Sequence, residues 1–327
     1  MSFFVELAVG TGGTAVSLDD ADKIAAHLVQ AGVTGLRLLD RVEGAHVLDP
    51  SVTAAYLAGR HDGLGFLVDV PTTHNAPYNL ARRILSADRA GGGNFGVVLR
   101  TGGGDEVSDA VAASPGGDDS GPDPFGQELF GHRHAEYATV LTALWESFPS
   151  AALIGDQHAG VVADDTLINP IGHRGRFYRV AGPLDGPSSP QGRPILAVTG
   201  DDPIDFSGIE GLVDVVIVAA ASAADVAREH PEVAVLAHLA GEQRVDDLSE
   251  LLAHKTSDGS ISDESTGIDG IVLNVGGDLP TVLTRIEQVV AALARITPAA
   301  RTLENVIPEK QTLRDVFAIA RTSRVFA

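Results

Sequence analysis

Short apolar runs of strand length alternate with helical stretches along most of the chain. Runs that are apolar on both faces are typical of parallel strands covered by helices. Eight runs predict such strands, over residues 3–9, 35–40, 64–70, 95–100, 194–200, 213–219, 233–239 and 268–275. Apolar spacing and Gly or Pro boundaries predict helices over 18–30, 50–59 and 77–89. Eight strand–helix units predict an α/β fold, a (β/α)8 TIM barrel, more than an open doubly wound sheet.

Three segments interrupt this alternation. Residues 102–126 are rich in Gly, Asp, Ser and Pro, which predicts a mobile acidic loop at the barrel mouth or, equally well, a solvated spacer. Residues 150–193 carry turn signals but little helix, so we expect an insertion of strands and loops before the fifth strand. Residues 257–266 form a second acidic stretch. We interpret residues 1–327 as a single barrel domain.

Composition excludes several classes of function. The 327 residues carry a formal charge of −21 and include no Cys. Without Cys there are no disulfides, thiolate zinc sites, iron–sulfur clusters or Cys nucleophiles. The negative charge repels phosphate backbones and anionic lipid, so we expect neither nucleic acid nor a membrane as partner. No apolar run approaches ~20 residues and the first residues lack a basic signal-peptide start, so we expect a cytoplasmic protein.

The sharpest motif lies inside the insertion, between Ile171 and Pro194. It reads I-G-H-R-G-R-F-Y-R-V-A-G-P-L and then P-S-S-P-Q-G-R-P. This motif resembles a signature of the luciferase-like flavin monooxygenases, in the branch that acts on nitrilotriacetate, EDTA and dibenzothiophene sulfone. Three further stretches resemble the same branch: P-Y-N-L-A-R-R from Pro77, L-W-E-S-F from Leu144, and T-L-R from Thr312. The resemblance therefore extends along most of the chain.

The resemblance implies a luciferase-like barrel that uses reduced FMN, supplied by a partner flavin reductase, to oxidise a small-molecule substrate with O2. It also implies a homo-oligomer and a flavin bound at the carboxyl ends of the strands, where barrel sites generally lie. One alternative is a flavin-free homologue that has lost the FMN site and acts as a binding or structural subunit. Another is a deazaflavin-dependent reductase of the same superfamily.

Several positions at which the family contacts its flavin carry other residue types here. Asp69 stands near the end of the third strand in place of a Thr, and Val98 replaces an Asn of the fourth strand. Gly131 replaces a Tyr that reaches the flavin phosphate, whereas Asp40 keeps the family's acidic residue. The family-equivalent cofactor positions are Asp40, Asp69, Thr72, Val98, Gly131, Gly200, Asp201 and Asp202.

Asp201 and Asp202 follow the fifth strand, where the family has a Ser pair that holds the phosphate. A strand-to-helix turn binds phosphate through free N–H groups and the helix dipole. One unit charge ~5 Å from a phosphate charge costs roughly 3 kcal/mol at an effective dielectric near 20, and two cost about 6 kcal/mol. These carboxylates are therefore expected to weaken FMN binding. Arg100 is expected to point into the mouth and pair with Asp69 or with these two residues.

The histidines offer candidates for proton transfer and for metal binding. His74 follows the third strand at the mouth and is our candidate for proton handling, although an exposed loop histidine is the alternative. For His173, inside the insertion motif, we expect a structural hydrogen bond rather than catalysis. His132 and His134 lie two residues apart on a predicted helix and so point in different directions, so we expect no metal site.

Overall fold

The computed structural model of the protein describes residues 1–42, 45–73, 75–101, 127–200, 208–240, 267–296 and 311–319. Eight parallel strands close into a barrel in which each strand pairs with its neighbours in the sequence order of the barrel strands. Each overlaps one of the predicted runs, so the (β/α)8 prediction is confirmed. The strands are β1 Ser2–Leu7, β2 Gly35–Leu38, β3 Gly65–Pro71, β4 Phe95–Arg100, β5 Ile195–Thr199, β6 Val215–Ala219, β7 Ala234–Leu239 and β8 Gly270–Asn274.

Helices connect the strands and cover the outside of the barrel. The three predicted helices form, with bounds that match to within a residue. The helices are α1 Leu18–Gln30, α2 Pro50–Ala58, α3 Pro77–Ala90, α4 Gln127–Glu146, α5 Ala220–Glu229, α6 Leu279–Ile296 and α7 Leu313–Val316. Ser17 and Asp49 cap α1 and α2 by accepting hydrogen bonds from N–H groups of the first turn. Among the helices in these described ranges, none is long and apolar enough to cross a membrane.

The insertion before β5 consists of strands and turns, as predicted. One hairpin pairs Leu153–Asp156 with Val161–Ala163, and a second pairs His173–Arg174 with Arg179–Val180. Glu136 of α4 fastens the second hairpin, because its carboxylate accepts hydrogen bonds from the backbone N–H groups of residues 176, 177 and 178 at 2.8–3.2 Å. The loops predicted over 102–126 and 257–266 lie outside the described residues.

The inside of the barrel is filled by apolar side chains from alternate positions of the strands. Phe4, Leu67, Val98 and Leu236 belong to this inner cluster, together with Leu313 and Phe317 from and beside α7. The rings of Phe4 and Phe317 stack with centroids 5.9 Å apart. The segment around α7 therefore closes the amino-terminal end of the barrel. Because side chains alternate along a strand, polar residues two positions beyond this apolar layer face the opposite, carboxyl-terminal mouth.

Two of the resemblance motifs meet at the closed end. Arg314, from T-L-R, is fully buried and donates to Asp214 Oδ2 at 2.7 Å and to the Arg193 carbonyl at 3.1 Å. Arg193, from S-P-Q-G-R-P, also pairs with Asp214, at 2.8 Å. Stability residues concentrate at this end of such barrels. These stretches therefore hold the barrel closed rather than build a site.

Asp88 of α3 is a second buried acid at the closed end. Its Oδ1 accepts hydrogen bonds from Phe95 N at 2.8 Å and from Gln191 Nε2 at 2.9 Å, whereas Oδ2 has no partner among the described residues. Burial raises the pKa of this carboxyl from 3.8 to about 6, against the opposing effect of its hydrogen-bond donors. The unpartnered oxygen is available to carry the proton below that pH.

Candidate functional site

Polar side chains from six barrel strands converge on the carboxyl-terminal mouth. Each lies two residues beyond a side chain of the inner apolar layer, or pairs in register with such a polar residue on the neighbouring strand. This polar layer comprises Glu6 of β1, Arg37 of β2, Asp69 of β3, Arg100 of β4, His238 of β7 and Asn274 of β8. Active sites of barrel enzymes are built at this face.

Arg37 lies at the centre of the polar layer. Its Nε and NH2 donate to the two oxygens of Asp69 at 2.9 and 3.0 Å, and its NH1 donates to Glu6 Oε2 at 2.6 Å. Arg100 adds a third hydrogen bond to Asp69, at 3.2 Å, so the expected Arg100–Asp69 pair is confirmed. Arg37, Glu6 and Asp69 are at most 3% exposed. Charges buried to this degree persist because each is paired and hydrogen-bonded.

Glu6 joins the ion pairs of β1–β3 to the other side of the barrel. Its Oε1 accepts a hydrogen bond from Asn274 Nδ2 at 2.5 Å and faces His238 Nε2 at 3.1 Å. Burial acts to raise the pKa of this carboxyl, but Arg37, His238 and Asn274 outweigh it and hold the pKa at about 2. Glu6 is therefore ionised throughout the physiological range.

Two buried hydroxyls at the carboxyl ends of the strands lack partners. Thr199, the last residue of β5, and Thr73, just after β3, are at most 1% exposed, and neither Oγ1 has a hydrogen-bond partner among the described residues. Thr72, by contrast, donates its hydroxyl proton to the Thr101 carbonyl at 2.8 Å. A buried polar group without a partner costs about 1–3 kcal/mol. A hydrogen-bond acceptor or donor that reached either hydroxyl would remove that cost.

The sequence-predicted flavin positions at the ends of β3 and β4 are brought together. Asp69 and Thr72 are buried and hydrogen-bonded at the mouth, and Val98 lies inside the barrel, paired in register with Asp69 and Ala197. Val98 belongs to the inner apolar cluster and offers no hydrogen bond. Asp40 lies two residues beyond β2, with its carboxylate 3.7 Å from Arg41 Nε.

The positions equivalent to the family's phosphate site give no anchor within the described residues. A Cβ built at Gly131 on α4 would meet no atom within 4 Å, so the glycine is not required here by a close contact. The N–H of Gly200 already donates to the Ile217 carbonyl at 2.8 Å. Asp201, Asp202 and His74 lie outside the described residues. The donor set present, Thr73, Thr199 and the cationic Arg100, fits the polar ring of a flavin.

His173 and His134 have structural partners. His173 Nε2 lies 3.0 Å from Glu136 Oε1, so the expected structural hydrogen bond is confirmed. Burial acts to raise the pKa of Glu136, but His173 and the hairpin N–H groups lower it overall. His134 is buried, with Nε2 3.2 Å from the Leu99 carbonyl. In the described part of the chain, no group of three His, Asp or Glu side chains is arranged to hold a metal ion.

Sequence reasoning missed four of the six residues of the polar layer, namely Glu6, Arg37, His238 and Asn274. A signal for them exists in the sequence. Each is a polar residue inside an otherwise apolar strand, such as F-F-V-E-L for Glu6 and G-L-R-L for Arg37. Counting two residues on from Phe4 or Leu236 would have directed Glu6 and His238 into the mouth.

Known proteins that are similar in sequence to this chain include monooxygenases. No family model matches the chain. Dibenzothiophene-sulfone monooxygenase of Rhodococcus erythropolis is 30% identical over 161 residues, which are 49% of this chain and 34% of that protein. The match thus spans about a third of that relative's length. A pristinamycin IIA synthase component of Streptomyces pristinaespiralis is 27% identical over 268 residues, covering 80% of this chain and 83% of that protein.

The fold is also found among solved structures. EDTA monooxygenase from Chelativorans sp. BNC1 superposes with a TM-score of 0.70 at 18% identity, over 98% of this chain and 99% of that chain. At that identity the likeness shows the shared barrel.

Proposed function

Because the homologues of this chain are luciferase-like monooxygenases, we propose that it oxidises a small organic molecule with O2 and a reduced flavin delivered by a separate flavin reductase. The observation that carries the proposal is the polar mouth, where the buried hydroxyls of Thr73 and Thr199 have no partner among the described residues. When bound there, reduced flavin would supply the electrons that activate O2.

The chain's own residues would bind and orient the ring. Thr73 and Thr199 would hydrogen-bond its polar edge, whereas Val98, buried in the apolar layer inside the barrel, would offer the ring no hydrogen bond. Arg100, whose side chain is 30% exposed, brings a positive charge to the mouth. The ion pairs of Arg37 with Glu6 and Asp69 keep the strand ends in fixed positions, which preserves the geometry of the site.

The flavin phosphate would contribute little to binding. Gly131 offers no side chain, Gly200 has its N–H engaged, and the sequence places two carboxylates directly after Gly200. We therefore propose that affinity comes from the ring. FMN, which differs from riboflavin by the phosphate, should bind more weakly than riboflavin, because the two carboxylates repel that group.

A fluorescence titration tests the proposal. Each flavin is titrated with protein, and we expect quenching with a dissociation constant in the micromolar range or below, no tighter for FMN than for riboflavin. The double variant Asp201→Ser with Asp202→Ser should tighten FMN by up to about four orders of magnitude, the limit set by removing two charges near a phosphate. Riboflavin affinity is the internal control and should not change. Absence of quenching by both flavins at high protein concentration would refute the proposal.

The second candidate is a flavin-free subunit, favoured by a specific observation. The Arg100–Asp69 ion pair occupies the ends of β3 and β4 with charged side chains. The pristinamycin IIA synthase relative, which matches most of this chain, is itself named as one subunit of its synthase. Failure of both the natural protein and the double variant to bind either flavin would favour this candidate, because charge at residues 201 and 202 would then not be the obstacle.

A further inference from the structure

His238 is a titratable group of the mouth that flavin binding alone does not use. It lies on β7, two residues after Leu236 of the inner apolar cluster, so its side chain faces the barrel axis. The side chain is 24% exposed and therefore within reach of a molecule in the mouth. Within the described residues its one hydrogen bond joins Nε2 to Glu6 Oε1, at 3.1 Å.

Glu6 determines which imidazole nitrogen carries the proton. Arg37 and Asn274 donate to its carboxylate at 2.6 and 2.5 Å, and Glu6 remains ionised because its pKa is about 2. An ionised carboxylate only accepts hydrogen bonds. The neutral imidazole therefore presents Nε2–H to Glu6, and Nδ1 carries the lone pair.

In the described part of the mouth, the formal charges around His238 sum to zero. Arg37 and Arg100 are positive, whereas Glu6 and Asp69 are negative. A proton gained by His238 adds one positive charge, in direct contact with the Glu6 carboxylate. A buried carboxylate stabilises a neighbouring imidazolium in this way when histidine acts as a general base.

We propose that His238 is the proton-transfer residue of the mouth and that Glu6 positions it, acting on a small molecule with a weakly acidic O–H or N–H group. The inference rests on the proposed function only in taking the mouth as the substrate site. His238 Nδ1 accepts the proton, and the substrate oxygen or nitrogen keeps the electron pair. The imidazolium then returns the proton to bulk water through its exposed part.

A purely structural role is the competing explanation. Glu6 joins β7 through His238, β8 through Asn274 and β2 through Arg37, so the contacts also tie four strands together. A structural tie fixes the position of His238 but gives it no proton exchange with a molecule in the mouth. Proton transfer to a bound probe separates the two explanations.

The test uses protein labelled with 15N-histidine and 4-nitrophenol as the probe. The His238 signals are assigned with His238→Gln, and long-range 15N–1H spectra report which ring nitrogen is protonated. The probe is added at a pH at which it is mostly protonated when free, and the visible absorbance of its anion reports proton loss. Glu6→Gln tests positioning, and His230→Gln, at a surface histidine, is the matched control.

We expect His238 to carry Nε2–H in its neutral form and to become doubly protonated as the bound probe forms its anion. The anion fraction should fall by roughly tenfold in both His238→Gln and Glu6→Gln, a change that corresponds to about one pKa unit, and stay unchanged in His230→Gln. A ring protonated at Nδ1 alone, or unaltered His238 signals at millimolar probe, would overturn the inference. Proton transfer in a protein that binds no flavin would support it and count only against the proposed function.

Discussion

Replacing Asp69 with Asn removes the carboxylate that holds both arginines of the mouth. Asp69 accepts two hydrogen bonds from Arg37, at 2.9 and 3.0 Å, and one from Arg100 at 3.2 Å, and it is 3% exposed. Removing one partner of a buried ion pair costs about 3–5 kcal/mol, because the remaining charge stays desolvated without compensation. Asn keeps one acceptor oxygen and Arg37 keeps its contact with Glu6, so we expect the lower end, about 3 kcal/mol.

Equilibrium unfolding in urea, followed by the fluorescence of Trp145, measures this effect. Trp145 is the single Trp of the chain, and it is fully buried with Nε1 donating to the Ala81 carbonyl at 3.0 Å. The matched control is Asp19→Asn, which breaks an exposed pair with Lys23 and should leave the midpoint unchanged. An Asp69→Asn protein with the same midpoint and slope as the natural one would refute the idea that this ion cluster stabilises the barrel.

Three further outcomes are expected. The natural protein should lose about 3 kcal/mol of stability as pH rises from about 4 through 6, because the folded-state pKa of Asp88 is raised to about 6. Asp88→Asn should abolish this loss, and urea midpoints across this pH range measure it. Glu6 should contribute about 3 kcal/mol to stability above about pH 4.5, and this contribution should be lost as pH falls towards 2, since the pKa of Glu6 is lowered to about 2. Glu6→Gln should remove the contribution. Equal acid unfolding of the variant and the natural protein would contradict this. Glu136→Ala should accelerate proteolysis within residues 150–193 several-fold, because three backbone N–H groups lose their acceptor; cleavage sites are located by mass spectrometry.

The barrel strands were predictable because each is a short apolar run buried on both faces. The helix starting at Leu18 was predictable as well, since Ser17 is a cap residue placed directly before an apolar pattern of helical period. Local signals of this kind depend on neighbouring residues. They are therefore visible in the sequence before any long-range contact is known.

The candidate site was predictable only in part, for a topological reason. Asp69 and Arg100 lie at the ends of consecutive barrel strands, so the expectation that they pair needed no knowledge of barrel closure. The contacts of Glu6 with His238 and Asn274 span 232 and 268 residues and exist because β1 lies beside β8 in the closed ring. A single polar residue in an apolar strand does not identify so distant a partner.

The resemblance motifs predicted the fold correctly but do not lie at the mouth, where the chemistry would take place. Arg193 and Arg314 bind Asp214 at the closed end, and His173 binds Glu136 outside the mouth. These stretches are recognisable because barrel closure and hairpin attachment demand particular residue types. Recognition by such motifs therefore predicts the fold with more certainty than the cofactor.

A crystal structure of the protein grown with reduced FMN in large excess tests the flavin-binding proposal most directly. We predict electron density for the ring at the carboxyl ends of β3–β5, within hydrogen-bond distance of Thr199 and Arg100. An empty mouth under those conditions, with the Arg100–Asp69 pair unchanged, would contradict flavin-dependent oxidation by this chain.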